Sequence, residues 1–435
     1  MVGLGYVGLT LATVLAEVGI EVHGLELRED VVDLVNAGRP HFSESGLEDA
    51  LGRAVSSGRL KAHRRLEGIE PFDIYIITVG TPLGGDGEAR LDMISAASRE
   101  VAEHMDDGAM VVLRSTVKVG TTRRVVTPLL ESAKKRFEIA MCPERTLEGR
   151  ALIELRELPQ IVGADDEATR VRAAAFFSRL TRTTVDVGSL ETAEVVKLVD
   201  NTYRDVRFAF ANEVARACEA FGVSAHQVIA AGKLGYPRTD VPIPGLVGGP
   251  CLEKDPHILL QSARSQGIDL EIARSARLVN ERQPIETVAT IATELERRSF
   301  TSRPRIAVLG LAFKGVPATD DLRGSMALRV IGEIRSQVPF ADIAVFDPII
   351  RPERLQEAVP DVSVAGDVLE AVRGAAAAII ANNHPHFADF PPTVLRAEMA
   401  AGAFVYDYWN LFSHLQARAT DPDYLAVGAR WTPSE

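Results

Sequence analysis

Six residues near the start, "GLGYVG" from Gly3 to Gly8, and eight in the second half, "GGPCLEKD" from Gly248 to Asp255, carry the residue types and spacings that can do chemistry. In the first, Gly3 allows a tight turn, Gly5 lets the backbone approach a pyrophosphate, and Gly8 lets a helix pack closely on a strand. Glu26 closes the next strand pattern, "IEVHGLEL", where a carboxylate can hold both ribose hydroxyls of NAD and repel a 2′-phosphate. Arg28 close by leaves NADP open. In the second stretch, Gly248 and Gly249 let the chain lie against a ligand and Pro250 fixes the approach of Cys251, while Lys254 could favour its thiolate. Beside a nicotinamide, such a thiol can capture an aldehyde and permit a second hydride transfer. A plainer reading stands next to it: Asp255-Pro256 is an N-cap and N1 pair for a following helix, and a lone cysteine is most often a small core residue. Spacing alone leaves both open.

The elements that must position these residues alternate strand and helix. "FDIYIITVGTP", "AMVVLRSTVKVGTT" and "FEIAMCPERTLEGRAL" read as buried strands running into loops, and "LPQIVGADD" and "TTVDVGS" add two more. This pattern predicts a parallel, doubly wound sheet with its ligand outside the carboxyl ends, where Thr81, Thr116, Glu144 and Glu148 fall. Only Met1 and Val2 precede the first glycine, where a strand normally supplies about five residues, so the chain is expected to begin inside that strand. From Glu191 to about Phe221 a helical period runs without a turn signal, giving a helix of about 45 Å that links two domains. Lys197, Asn201, Arg204 and Asp205 share one side of it, and the bland expectation for such a stripe is a solvated face. After Arg303-Pro304, "RIAVLGLAFK" opens a second βα series that lacks the glycine triplet.

Length and charge bound the rest. With 435 residues, two or three domains are expected, and a net charge of −12 disfavours nucleic acid and anionic membranes as partners. Three cysteines, Cys142, Cys218 and Cys251, form no metal-ligand spacing and point to a reducing cytoplasm. The apolar opening lacks the basic start of an export signal, and no apolar run reaches the ~18 residues of a membrane span.

Taken in order, "GLGYVGL", "STVKVGTT", "CPERTLEGRAL", "KLVDNTYRDVRFAFANE", "GGPCLEKD" and "LGLAFKGVPATDDLRGS" resemble the nucleotide-sugar 6-dehydrogenases over essentially the whole chain. The resemblance implies an α/β fold of two Rossmann-like doubly wound parallel-sheet domains joined by a long central helix and a helical middle domain. Residues 1–190 would bind NAD, residues 191–298 would form the dimerisation region, and residues 299–435 would bind the UDP-sugar. The implied reaction is oxidation of a sugar C6 alcohol to the carboxylate with two NAD⁺, through a thiohemiacetal and a thioester on Cys251. Lys197 and Asn201 would stabilise the oxyanion, Asp255 and Thr116 would place water or manage protons, and Glu144 and Glu148 match the family's acidic pair. Cofactor contacts fall to Gly3, Gly5, Tyr6, Val7, Gly8, Glu26, Thr81, Thr116 and Arg323. Substrate contacts fall to Glu144, Arg145, Leu147, Lys197, Asn201, Arg204, Gly248 and Lys314, with Arg238 reaching a neighbouring subunit's substrate in a homodimer. "CPERTLEGRAL" and "NTYRDVRFAFANE" resemble the N-acetylhexosamine enzymes, whereas the Lys-Asp of "GGPCLEKD" resembles the glucose branch, so the resemblance implies UDP-N-acetylmannosamine or UDP-N-acetylglucosamine ahead of UDP-glucose, with a product used in polysaccharide biosynthesis. A two-electron hydroxyacid dehydrogenase and a non-catalytic nucleotide-binding protein are the alternatives of other classes.

Overall fold

Val2 is the hinge of the first sheet. In the computed structural model, which describes residues 1–413 and 421–429, it forms parallel bridges to both Leu25 and Ile77, so one residue joins two strand pairs. Its N–H donates to the Ile76 carbonyl at 2.8 Å, and its carbonyl accepts from the Thr78 N–H at 2.9 Å. With Val2 as the first strand, the order runs Leu60–His63, Val22–Leu25, Val2, Ile74–Ile77, Ala109–Leu113, Phe137–Met141, all parallel. That is the doubly wound order in which a dinucleotide sits where the winding reverses. An antiparallel bridge from Met141 to Gly163 then leads to the parallel pair Gln160–Val162 and Thr184–Asp186.

Burial explains why these segments read as continuous apolar runs. Along Ala109–Leu113 all five residues are buried; Met110 and Val112 enter one hydrophobic cluster, while Val111 and Leu113 enter another. A strand covered by helices on both faces has no solvent side, and each such valine or leucine contributes about 1.5–3 kcal/mol by leaving water.

The chain divides into two compact units, Met1–Asn201 with Lys254–Asp269, and Thr202–Glu253 with Leu270–Glu435. The second holds another parallel sheet, ordered Ser363–Val364, Asp342–Phe346, Arg305–Leu309, Ala377–Ile380, Phe404–Asp407, Tyr424–Ala426. Numbered along the chain this is the same winding as the first sheet, with the same split of alternate residues: Ile306 and Val308 in one cluster, Ala307 and Leu309 in the other.

The expected long helix runs Leu190–Phe221, 32 residues, and passes from one unit into the other. Its polar stripe is not a solvated face. Lys197, Asn201 and Asp205 are buried, and only Arg204 of the four is exposed. A second long helix, Glu271–Arg297, belongs to the second unit. Among the described residues, no helix is long and apolar enough to cross a membrane.

Candidate active site

The helix after the glycine turn runs Tyr6–Glu17. Gly5 precedes it and offers no side-chain cap, so the first N–H groups of the helix are left for a ligand. Gly3 has φ +92°, and a Cβ on Gly8 would stand 1.9 Å from the Gly3 carbonyl oxygen. By contrast, a Cβ on Gly5 would meet nothing within 4 Å. The turn therefore needs Gly3 and Gly8 for its own shape, and has room at Gly5 for something else. A cavity of about 960 Å³ opens there, lined by Gly3, Gly5, Glu26, Thr78 and Val79 among others, at the winding reversal of the sheet. Glu26 is braced by the Leu4 N–H at 3.2 Å and the Arg28 N–H at 3.1 Å. These residues fit NAD: a turn with open N–H groups, an unfilled approach at Gly5, and an acid beyond the second strand. Arg64 and Arg65 also line the cavity. Sequence reasoning missed them, although their place just past Leu60–His63 was a usable signal.

Tyr6 connects this turn to the loop that carries the substrate candidates. Its hydroxyl meets the Glu44 carboxylate, which also accepts from the N–H groups of Gly149 and Ala151 at 2.6 and 2.8 Å. Within that loop Glu144 is buried. Its Oε2 accepts from Arg114 Nε at 2.9 Å and Nη2 at 2.5 Å, and its Oε1 accepts from the N–H groups of Arg145 and Thr146, both at 2.7 Å. Burial works against its charge, but Arg114, the Thr146 N–H and Lys197 together outweigh it and hold the carboxyl below the usual range. Glu144 is thus an anchored anion facing Lys197. Leu147 donates its N–H to Glu154 at 2.7 Å, and Arg145 reaches the Pro159 carbonyl at 2.6 Å. Glu148 is half-buried in the same loop. Thr81 is buried and donates its hydroxyl to the Thr116 carbonyl, tying two strand-end loops together.

Asp255 corrects the capping expectation. It is the first residue of the helix Asp255–Arg264, and its fully buried carboxylate accepts from Asn201 Nδ2 and from Lys254 Nζ, each at 2.6 Å. A carboxylate taken out of water requires such partners, and they outcompete the helix N–H groups. The same contact pairs the charge of Lys254 with Asp255.

Cys251 is half-buried on the short helix Gly249–Leu252. The glycines before it are required by contact. A Cβ on Gly248 would stand 2.4 Å from the Gly324 carbonyl oxygen, and Gly249, at φ +87°, would press on the Phe313 ring at 2.4 Å. The Gly249 N–H donates to the Gly324 carbonyl at 2.8 Å. The other two cysteines are buried, Cys142 with its thiol pushed up to about 12 by burial and Cys218 also raised by burial. Of the remaining candidates, Lys314 lies over the Phe313 ring at 5.2 Å, Arg323 is exposed and forks onto Asp321, and Arg238 is exposed with its guanidinium 4.7 Å from the Tyr236 ring. Among the described residues, no group of three or more His, Cys, Asp or Glu could hold a metal.

Two sheets wound in one order, the first opening on a glycine turn with room for a pyrophosphate, define a dinucleotide-binding α/β protein with a second nucleotide-sized domain. Residues 1–181 match the NAD binding domain of the UDP-glucose/GDP-mannose dehydrogenase family, residues 191–282 its central domain, and residues 307–414 its UDP binding domain. The chain is 36% identical over 396 residues to a UDP-N-acetyl-D-mannosamine dehydrogenase of Pyrococcus horikoshii, covering 89% of each. It is similar to a solved structure of UDP-D-ManNAc dehydrogenase from that organism, with a TM-score of 0.88 at 33% identity over 98% of each chain. It also resembles a UDP-glucose dehydrogenase from Pyrobaculum islandicum, with a TM-score of 0.84 at 30% identity over 99% of this chain and 97% of that one. The chain belongs to the UDP-glucose/GDP-mannose dehydrogenase family. It is an NAD-dependent nucleotide-sugar dehydrogenase acting on a UDP-sugar.

Proposed function

We propose that the substrate is a UDP-N-acetylhexosamine, UDP-N-acetylmannosamine or UDP-N-acetylglucosamine, oxidised at C6 from alcohol to uronic acid with Cys251 holding the sugar between the two oxidations. The observation that carries this reading is the Cys251 loop: a half-buried thiol follows two glycines that the surrounding chain forces to be glycine. The Pyrococcus relative, by its name, supports the N-acetylhexosamine choice over UDP-glucose.

When bound at the Gly3–Gly8 turn, NAD⁺ supplies the hydride acceptor, one for each of two oxidations. Glu26 sets the preference for NAD by meeting the ribose hydroxyls. Once the C6 aldehyde exists, the Cys251 sulfur adds to its carbon, forming a C–S bond and an alkoxide. Loss of the remaining C6 hydrogen as hydride leaves a thioester. Water then adds, the C–S bond breaks, the carboxylate departs and the thiol is restored, so the second oxygen of the acid comes from water. Lys197 and the second amide hydrogen of Asn201 stabilise the oxyanion, a contribution of ~10²–10³ in rate per donor. Asp255, held by Asn201 and Lys254, orients water with Thr116. Glu144 is a fixed anion at the substrate loop, while Arg145, Leu147, Glu148, Arg204, Gly248, Lys314 and Arg323 complete the nucleotide-sugar and cofactor contacts. The reading includes a cytoplasmic homodimer in which Arg238 serves the neighbouring subunit, with the product used in polysaccharide assembly.

A panel of UDP-sugars, scored as NADH formed per sugar consumed, tests this. The expected result is two NADH per UDP-N-acetylhexosamine and lower kcat/KM on UDP-glucose. Cys251→Ala is expected to lose steady-state turnover, and Cys251→Ser to accumulate a slowly hydrolysed ester visible by intact mass. Two NADH per sugar from Cys251→Ala at a near-normal rate would overturn the covalent route.

A further inference from the structure

Arg277 is a fully buried arginine that the reaction above does not use, and it spans the loop that carries Cys251. Its Nη1 donates to the Leu252 carbonyl at 2.6 Å and to Asp205 Oδ1 at 2.7 Å, and its Nη2 donates to the Val247 carbonyl at 3.1 Å. Val247 and Leu252 bracket Gly248-Gly249-Pro250-Cys251, so one planar guanidinium holds both ends of the segment that presents the thiol. The anchor beneath it is itself hydrogen-bonded between two long helices. Asp205 lies on the helix Leu190–Phe221 and Arg277 on Glu271–Arg297, and Asn280, one turn on from Arg277, donates to the Asp205 carbonyl and Oδ1 at 3.0 and 2.9 Å. Asn280 Oδ1 in turn accepts from Asn212, which also pairs with the backbone N–H and carbonyl of Gly245. Each of these groups belongs to the second compact unit.

We infer that Arg277 is a positioning residue for Cys251: it sets the loop at Val247 and Leu252 so that the sulfur is held where the aldehyde carbon must arrive. A structural role alone would be met by any charge that neutralises Asp205. The geometry here does more, because two of the three acceptors are loop carbonyls and only a forked, five-donor group can serve all three in one plane. Misplacement of a reacting atom by about 1 Å can cost ~10²-fold in rate, so a loop released at both ends should lose rate before it loses binding. This inference rests on the reading of Cys251 as the nucleophile.

The test uses Arg277→Lys, which keeps a charge against Asp205 but cannot span both carbonyls, and Asp205→Leu/Arg277→Met, which removes the buried pair together and leaves only the partly exposed Glu281, 3.4 Å from Arg277 Nε, without this partner. Two readouts are taken on each variant: kcat and KM for the UDP-sugar, and the rate of Cys251 alkylation by iodoacetamide, followed by peptide mass. The expected result is a fall in kcat of about ten-fold or more with KM changed by less than about three-fold. Alkylation of Cys251 is expected to quicken by about five-fold or more while Cys142 and Cys218 stay unreactive, which separates a freed loop from general unfolding. If the lysine variant fails to fold, the double variant decides the matter. Unchanged kcat and alkylation rate in either folded variant would overturn the inference. The alkylation rate reports the clamp whether or not the thiol is catalytic, whereas turnover by Cys251→Ala tests the underlying mechanism, so the two failures are distinguishable.

Discussion

Glu144 shows how a residue chosen from its motif acquires its properties from a partner thirty positions earlier. Arg114 closes the strand Ala109–Leu113 and is itself buried, so each member of the pair is costly without the other. Removing one side of a buried pair leaves an uncompensated charge, and Glu144→Gln should destabilise the protein by about 3–5 kcal/mol at pH 7. Because the folded pKa lies below that of the unfolded chain, this contribution is complete above about pH 4.3 and is lost as pH falls through the folded value. Urea unfolding of both proteins at about pH 7, 5 and 3.5 should therefore show a gap that narrows only at the lowest pH. A gap of constant size across the range would show that Glu144 is not held as an anion.

At the scale of elements, the turn from Gly3 to Gly8 and the helix Tyr6–Glu17 separate two kinds of glycine. Gly8 is needed by the protein itself, since an added Cβ would run into the Gly3 carbonyl; Gly5 is needed only by what approaches from outside. Gly8→Ala should lower both thermal stability and NAD affinity, whereas Gly5→Ala should leave the melting temperature within about 2 °C and still weaken NAD binding by about ten-fold or more. Calorimetric titration with NAD checks this, and wild-type affinity in Gly5→Ala would remove the turn from the cofactor site. The second sheet repeats the architecture with a different use of its acid. Asp347, just past Asp342–Phe346, is buried and accepts the N–H groups of Leu311 and Ala312 at 2.7 and 2.9 Å, so this carboxylate is spent on its own turn.

For the whole molecule, the exposed face of the long helix bears on assembly. Val199, Tyr203, Phe210 and Phe221 are all exposed, and at 100° per residue their offsets of 4, 11 and 22 place them within about 40° of one another. An apolar stripe of this kind on a charged protein suits a second copy of the chain, in keeping with the proposed dimer. Sedimentation velocity should show a dimer at assay concentrations, and Tyr203→Glu/Phe210→Glu should shift it toward monomer with loss of turnover. A fully active monomer would refute the shared site.

Sequence alone determined the glycine turn, both strand series, the long helix and the cysteine loop, because each is written in a short-range signal: period, glycine at a close approach, or an apolar run bounded by a break. It did not determine which charges compensate each other. Asp255 finds Asn201 across 54 positions, Asp205 finds Arg277 across 72, and Glu194 of the long helix finds the N–H and hydroxyl of Thr122 across 72. Such pairs form because packing removes water from both members at one place, and no periodicity along the chain records where distant elements meet. For that reason the Lys197 to Asp205 stripe read as solvated, Asp255 read as a cap, and Arg277 carried no signal at all. The candidates for the chemistry were legible in their order along the chain; what holds those candidates in place was decided by the tertiary structure.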